Sequence, residues 1–338
     1  MNPVFAKLPR TPLAHLPTPL EPLPTLTREL NGPTLWVKRD DCTGLGTGGN
    51  KTRKLEFLIG QAEAEGADTI ITFGAVQSNH ARQTAAACAA RGLACHLILA
   101  RKVPWQDPNY EKLGNVLLDH MFGATVHLVA ADEVKDTLKA LRAELSQQQR
   151  NAYLIPTGGS NGTGALGYAA CALELIEQSE ERGFQLTDIV HATASAGTQS
   201  GLLAGLALAG KLDEIRVHGI NVSEGGADVP AFAAEIGRHA DEALRLCGAD
   251  IQLDRDAIII DSGYLGEGYG LPTPETFTAL KRLASTEGLL LDPVYSGKAM
   301  SGFIGKVEAG EFSTVRDLVF LHTGGSASLP VYGEAILS

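Results

Sequence analysis

Hydrophobic positions change rhythm repeatedly along this chain. Short apolar runs alternate with longer segments in which apolar side chains recur at helical spacing. Leu55, Leu58, Ile59 and Ala62 give an apolar face to a helix over 49–65, and Leu166, Ala170, Leu173 and Ile176 do so over 165–182. The same reading predicts helices at 77–91, 110–122, 133–148, 229–246, 274–287 and 297–309, another after Gly201, and a closing one. It predicts strands at 35–37, 68–73, 94–100, 124–129, 152–155, 189–193, 215–222, 257–261 and 318–322. Regular alternation of this kind implies an α/β fold of open, mainly parallel sheets flanked by helices, with right-handed crossovers. Residues 1–34, with eight prolines, read as an irregular arm over a domain surface. A glycine-rich junction at 157–164 suggests a boundary between two α/β units.

Composition narrows the function classes. A length of 338 residues fits two domains or one large α/β unit. A net charge of −11 argues against a nucleic-acid partner, which needs concentrated Lys and Arg. The five cysteines (Cys42, Cys88, Cys95, Cys171, Cys247) are scattered without CxxC spacing, so no metal site is expected. Free thiols suit a reducing cytoplasm. No signal-like segment opens the chain and no apolar run approaches roughly 18 residues, so no membrane partner is expected and a cytoplasmic location is.

The 38 glycines gather at strand-to-helix junctions, and the first junction organises the rest. Leu35 to Val37 reads as a strand, Gly44, Gly46, Gly48 and Gly49 as a tight turn, and Asn50 as the cap of a helix that places Lys51 in its first turn. There the helix dipole disfavours a cation and lowers the proton affinity of the amine, as a nucleophile requires. Three chemistries compete, beside the ordinary alternative of a solvated lysine. Gly44-x-Gly46-x-x-Gly49 matches the dinucleotide fingerprint, but the next strand, 69–72, ends without the acid that holds a ribose. GTGGNKT resembles a phosphate loop, but Asn50 separates glycine from lysine. The third is a lysine that forms an imine with pyridoxal 5′-phosphate (PLP).

Other junctions carry compatible chemistry. Ser195-Ala196-Gly197-Thr198-Gln199 opens a helix with hydroxyls and free amides, which suits a phosphate, or else a plain capped turn. Ser78, in GAVQSNHARQ, suits a carboxylate site, a proton carrier or a helix cap, and His80 a structural or a catalytic role. Tyr269 and Tyr295 sit in glycine-flanked turns, and His322-Thr323-Gly324 ends a strand where ligands collect in open α/β sheets. Hydrolase, metalloprotease and kinase motifs are absent from the sequence.

GGNKTRKLEFL, GAVQSNHARQTAA, SAGTQSG, EGYGLP, DPVYSGKAM and HTGG, in this order, resemble the D-cysteine desulfhydrase and 1-aminocyclopropane-1-carboxylate deaminase family across essentially the whole chain. The resemblance implies a two-domain, tryptophan-synthase-β-like fold (PLP fold type II). It makes 50–160 the small α/β domain and 1–49 with 161–338 the large one. It implies Lys51 as the Schiff-base lysine, Asn79 on the phenolic oxygen, and Ser195, Ala196, Gly197, Thr198 and Gln199 on the phosphate with help from Lys54. Tyr295 would stack on the ring. Ser78 and Tyr269 would face the substrate, with its carboxylate held at Ser78, Asn79 and His80. Cyclopropane deaminases carry glutamate and leucine where this chain has Ser296 and Thr323, so the ring nitrogen would meet hydroxyls. That disfavours ring-opening deamination and fits β-elimination. Asp41-Cys-Thr-Gly44, GGNKT, Gly114-Asn-Val-Leu-Leu-Asp119 and GEGYG are similar to L-cysteate sulfo-lyase.

The expected function is therefore a PLP-dependent carbon–sulfur lyase acting on a small amino acid, converting L-cysteate to pyruvate, sulfite and ammonia. The α-proton would go to Lys51 or to a Ser78–Tyr269 relay. D-cysteine desulfhydrase is the alternative within the family. A non-catalytic binding protein and a nicotinamide-dependent oxidoreductase are the alternatives outside it. The resemblance also implies a homodimer.

Overall fold

Two sheets carry the molecule, and both present the carboxyl ends of their strands to the glycine-rich junctions. The computed structural model describes residues 3–223 and 228–337. In chain order the elements are β1 (Leu20–Pro22), α1 (Pro24–Leu30), β2 (Thr34–Arg39), α2 (Lys51–Ala64), β3 (Thr69–Ala75), α3 (Asn79–Arg91) and β4 (Ala94–Arg101). There follow α4 (Asn115–Met121), β5 (Thr125–Ala130), α5 (Val134–Gln147), β6 (Ala152–Leu154), α6 (Gly162–Glu181), β7 (Asp188–Thr193) and α7 (Gly197–Leu208). The chain closes with β8 (Arg216–Asn221), α8 (Val229–Leu246), β9 (Ile259–Asp261), α9 (Pro274–Glu287), α10 (Ser296–Glu308), β10 (Asp317–His322) and α11 (Gly333–Leu337). One sheet runs β1-β2-β10-β7-β8-β9 and the other β5-β4-β3-β6. Every pairing given by register is parallel except β1 with β2.

Helices cover both faces of each sheet, so β7 and β10 are buried along their whole length. This is why they read as continuous apolar runs and not as alternating ones. Ile189, Val319 and Leu321 face α6, α7 and α8, while Val190, Leu318 and Phe320 face α9 and α10. Helices α6 and α7 approach closely because Gly201 lacks a side chain: a Cβ there would lie 2.2 Å from the Ala165 carbonyl oxygen. Among the described residues no helix is long and apolar enough to cross a membrane.

Two stretches differ from the sequence reading. The arm contains regular structure. Leu20–Pro22 pairs antiparallel with β2 at the sheet edge, where a proline costs no ladder bond, and Pro24 starts a one-sided helix that ends on Asn31 at φ 48°. The helix expected at 110–122 begins only at Asn115. Upstream, the Gln77 amide takes the carbonyls of Tyr110 (2.5 Å) and Leu113 (3.0 Å) and accepts from the Asn115 N–H (2.9 Å), so those groups are withheld from a helix.

A buried ion network sets the pitch of α2. Arg53 donates to Asp40 (2.7 Å) and Glu174 (3.0 Å), Tyr168 donates to Asp40 (2.6 Å), and Lys38 pairs with Glu174. The network ties α2 to β2 and α6. It leaves the neighbouring Lys51 and Lys54 on the side of α2 that faces the junctions.

Candidate active site

A cavity of about 620 Å³ lies at the carboxyl ends of β3, β4 and β7, closed by the starts of α2, α3 and α5 and by the 269, 295 and 323 turns. This is where open parallel sheets gather ligands. Lys51, Ser78, Asn79, His80, Ser195, Ala196, Thr198, Tyr269, Tyr295 and Thr323 all line it. Sequence positions more than 270 residues apart thus meet on one wall. Among the described lining residues there is no Asp or Glu.

The loop before Lys51 holds its shape through backbone that only glycine accepts. Gly48 sits at φ 77°, and a Cβ on it would lie 1.9 Å from the Asp41 carbonyl oxygen. From α3, Arg82 donates to the carbonyls of Gly46 (2.7 Å) and Gly48 (3.0 Å), and Gln83 accepts from the Thr52 N–H (2.9 Å). Both residues lie in a quoted motif yet carry no chemistry of their own, and sequence reasoning gave them no role. Asn50 does not cap α2 through its side chain; its amide donates to the Thr198 hydroxyl (3.1 Å) and joins the two junctions.

Burial lowers Lys51 to about 8, against a smaller opposing effect of its hydrogen bond to Lys54. Lys54 is lowered further, by burial and then by the charge of Lys51. The Lys54 ammonium reaches the Gly158 carbonyl (3.2 Å) and the Ser160 hydroxyl (3.4 Å), and Ser160 in turn donates to Ser195 (2.9 Å). A Cβ on Gly197 would come within 2.9 Å of the Lys54 nitrogen. The start of α7 is therefore a bare cradle with a lysine beneath it, and Ala196 enters it at φ 65° without a side-chain cap. Within the 195–199 segment, Gln199 turns its amide away to the Ile259 carbonyl (2.7 Å), leaving only its backbone for an anion.

At α3, Ser78 caps the helix by accepting from the Ala81 N–H (3.1 Å) while still lining the cavity, so the cap and the site are one residue. Asn79 accepts from the Asn115 amide (3.0 Å) through Oδ1, which turns its NH₂ group to the cavity as a donor. Asn115, missed in the sequence, is the orienting group. The Thr72 hydroxyl donates to the Ile155 carbonyl (2.9 Å), so His80 Nε2, 2.9 Å away, must carry the hydrogen that Thr72 accepts. That leaves His80 Nδ1 bare, buried and without a partner among the described residues. Burial, then Lys51 and Lys54, hold this imidazole well below the usual histidine range. A neutral ring presenting a lone pair does not donate to a carboxylate, so the donors left at this end are the open amides of the first α3 turn, the Ser78 hydroxyl and the Asn79 NH₂ group.

The hydroxyls of Tyr269 and Tyr295 bond to each other, their rings edge-on at 5.7 Å. Burial raises both phenols, so both stay protonated. Lys298 holds the Tyr269 turn by donating to the Leu265 (2.6 Å) and Gly268 (2.8 Å) carbonyls. Ser296 is not among the expected site residues brought to the cavity lining. Its hydroxyl is buried outside the cavity wall, donating toward Asp292 (2.6 Å) and the Gly324 carbonyl (3.1 Å) and accepting from the Asp292 N–H (2.8 Å). Only Thr323 of the expected hydroxyl pair reaches the cavity.

This donor set fits an aldehyde that carries a phosphate. An amine with depressed proton affinity stands beside a helix-start cradle, a second buried lysine lacks an acid partner, and an amide donor is fixed between them. Comparison with known proteins agrees. The family described as pyridoxal-phosphate dependent enzyme matches residues 12–324. The chain is 40% identical over 335 residues to a 1-aminocyclopropane-1-carboxylate deaminase of Burkholderia ambifaria, covering 97% of both chains. It is 42% identical over 330 residues to a D-cysteine desulfhydrase of Klebsiella pneumoniae, again covering 97% of both. A crystal structure of an ACC deaminase homologue superposes with a TM-score of 0.89 at 35% identity, over 100% of this chain and 99% of that one. The chain belongs to the PLP-dependent enzymes of fold type II, in the group of the D-cysteine desulfhydrases and aminocyclopropane-carboxylate deaminases.

Proposed function

We propose that this enzyme is a carbon–sulfur lyase that removes the β-substituent of a cysteine-like amino acid, with L-cysteate as the first substrate to test. The observation that carries the reading is the absence of any carboxylate from the described cavity wall, with Thr323 at the strand end where the deaminase pattern has leucine. D-cysteine is the second candidate, favoured by the desulfhydrase relatives.

Lys51 is the proposed attachment point, Lys54 with the start of α7 the proposed phosphate site, and Asn79 the proposed donor to the phenolic oxygen. When bound, PLP supplies a covalent anchor for the substrate amine and a sink for negative charge at its α-carbon. The chain supplies the rest. The first-turn amides of α3 and the Ser78 hydroxyl orient the carboxylate. Lys51, with a proton affinity near neutrality, takes the α-proton, and work of this type contributes about 10²–10⁴-fold. Ser78 and Tyr269 are not bonded to one another; the phenol chain is Tyr269–Tyr295, which donates hydrogen bonds without ionising. We also propose residues 50–160 as one domain and 1–49 with 161–338 as the other, and a homodimer, carried from the resemblance.

The test is product analysis with L-cysteate, D-cysteine and aminocyclopropane-carboxylate, reading sulfite, sulfide, pyruvate and ammonia. Sulfite with pyruvate from L-cysteate supports the proposal; ammonia from the cyclopropane substrate alone overturns it. Lys51→Ala should lose both product release and covalent cofactor, and retention of both would refute the assigned lysine.

A further inference from the structure

Three lysines face the cavity, Lys51, Lys102 and Lys135, and no described lining residue opposes them. In a chain of net charge −11 this is a local reversal of sign, and such a pocket concentrates small anions. Lys51 is accounted for by the cofactor. Lys102 and Lys135 are not. They come from different elements: Lys102 directly follows β4, and Lys135 is the second residue of α5. Arg101 pairs in register with Ala130, so the end of β4 and the turn into α5 emerge side by side at the carboxyl edge of the small sheet.

Charged neighbours at this edge are already engaged. Arg101 pairs with Glu111 (2.8 Å), and the Glu133 carboxylate folds back on the Ala130 N–H (2.9 Å). Asp132 and Asp136 do not line the cavity. The side-chain ammonium groups of Lys102 and Lys135 have no hydrogen bond or ion pair among the described residues, although the Lys102 N–H donates to the Ala100 carbonyl (3.0 Å). Both side chains are exposed at the rim, where water solvates them in the free enzyme and where an arriving anion meets two cations with no acid beside them in the cavity lining. The carboxylate of an amino-acid substrate is met deeper, at the α3 amides, and the cofactor phosphate at α7. A third anionic group is what this mouth would take.

We infer that Lys102 and Lys135 form a second substrate-anion subsite, which holds the β-sulfonate of a dianionic amino acid whose carboxylate lies at the start of α3. The inference rests on the elimination reading above and gives it a substrate class: a sulfonate occupies the subsite, whereas a thiol or a cyclopropane carbon leaves it empty. The lysines bind and orient the departing group and take no part in proton transfer.

The test compares the holoenzyme with Lys102→Gln, Lys135→Gln and the double variant. The readout is the ratio of kcat/KM for L-cysteate to that for β-chloro-L-alanine, which undergoes the same elimination without a second anion. The double variant should lower this ratio about tenfold or more, mostly through KM, with the cofactor absorption band kept; tenfold corresponds to about 1.4 kcal/mol. An unchanged ratio, or an equal loss on both substrates, overturns the subsite. A second readout is calorimetric binding of 3-sulfopropanoate against propanoate. If the wild type releases no sulfite, the L-cysteate reading fails separately. The subsite then stands if the wild type prefers the dianion and the double variant loses that preference, and falls if the preference is absent or retained.

Discussion

Lys51 and Lys54 stand one helical turn apart at the start of α2, Lys51 lining the cavity and Lys54 buried behind it, with the charge of Lys51 acting on Lys54. Burial disfavours charge on both, so the pair holds its second proton poorly, and no described acid in the cavity relieves it. An amine available near neutrality and a site that calls for an anion both follow from the burial of these two neighbouring lysines.

The first prediction concerns Lys51 in the cofactor-free protein. Covalent attachment of PLP should accelerate with a midpoint near pH 8, well below the ordinary lysine value of 10.5. The linked stability follows in sign. The folded amine releases its proton at about 8 and the unfolded one at 10.5, so the penalty is full below 8 and fades as pH rises between the two. Urea midpoints of wild type and Lys51→Met should therefore converge over that interval. A wild-type attachment midpoint above 10 would rule out the buried-amine account.

Lys54→Met should weaken cofactor binding while leaving attachment possible. A charge-assisted hydrogen bond contributes about 1.5–3 kcal/mol, hence roughly 10- to 150-fold in dissociation constant. Fluorescence titration with PLP measures it. Binding within a factor of two of wild type would remove Lys54 from the phosphate site.

Ser296 separates the two readings of its own position. Ser296→Ala breaks the bonds that seat the 292–296 turn and strands the buried Asp292 N–H, at a cost of about 1–3 kcal/mol in denaturant unfolding. The cofactor absorption maximum should stay in place, because the hydroxyl lies outside the cavity. Thr323→Val, from within the cavity, should shift that maximum. A spectral shift in Ser296→Ala of the size seen in Thr323→Val would restore Ser296 to the ring.

Much of this was legible in the sequence, for a physical reason. Glycines at strand-to-helix turns and hydroxyls at helix starts serve backbone geometry and ligand at once, so Lys51, Ser78 and Ser195 announce themselves. The supports do not. Arg82, Gln83 and Asn115 act by reaching backbone or amide groups distant in sequence, and their partners depend on how α3, α4 and the glycine loop pack. The helix misplaced at 110–122 has the same origin, since the Gln77 side chain decides which carbonyls are free. Ser296 is hard to place from sequence because a serine in a motif looks alike whether it faces a ligand or seats a turn, and here it bonds to Asp292 and the Gly324 carbonyl.

Asp119 offers the last prediction, away from the chemistry but beside its scaffold. The carboxylate on α4 is fully buried, and both oxygens lack a hydrogen-bond partner among the described residues. Burial raises it to about 8, with only the charge of Arg82 acting against that. The same Arg82 holds the Gly46 and Gly48 carbonyls in front of Lys51. Below an ordinary aspartate value of 3.8 the group is neutral in both folded and unfolded chains and costs nothing. Between 3.8 and about 8 the unfolded chain ionises while the folded one keeps its proton, so folding stability falls as pH rises through that window. Asp119→Asn cannot ionise and lacks this slope. Its melting temperature relative to wild type should therefore climb steadily from pH 5 to pH 8, whatever the offset at pH 5. A difference that stays flat across the window would mean that Asp119 is ionised in the folded protein and is answered by Arg82 through a bridge.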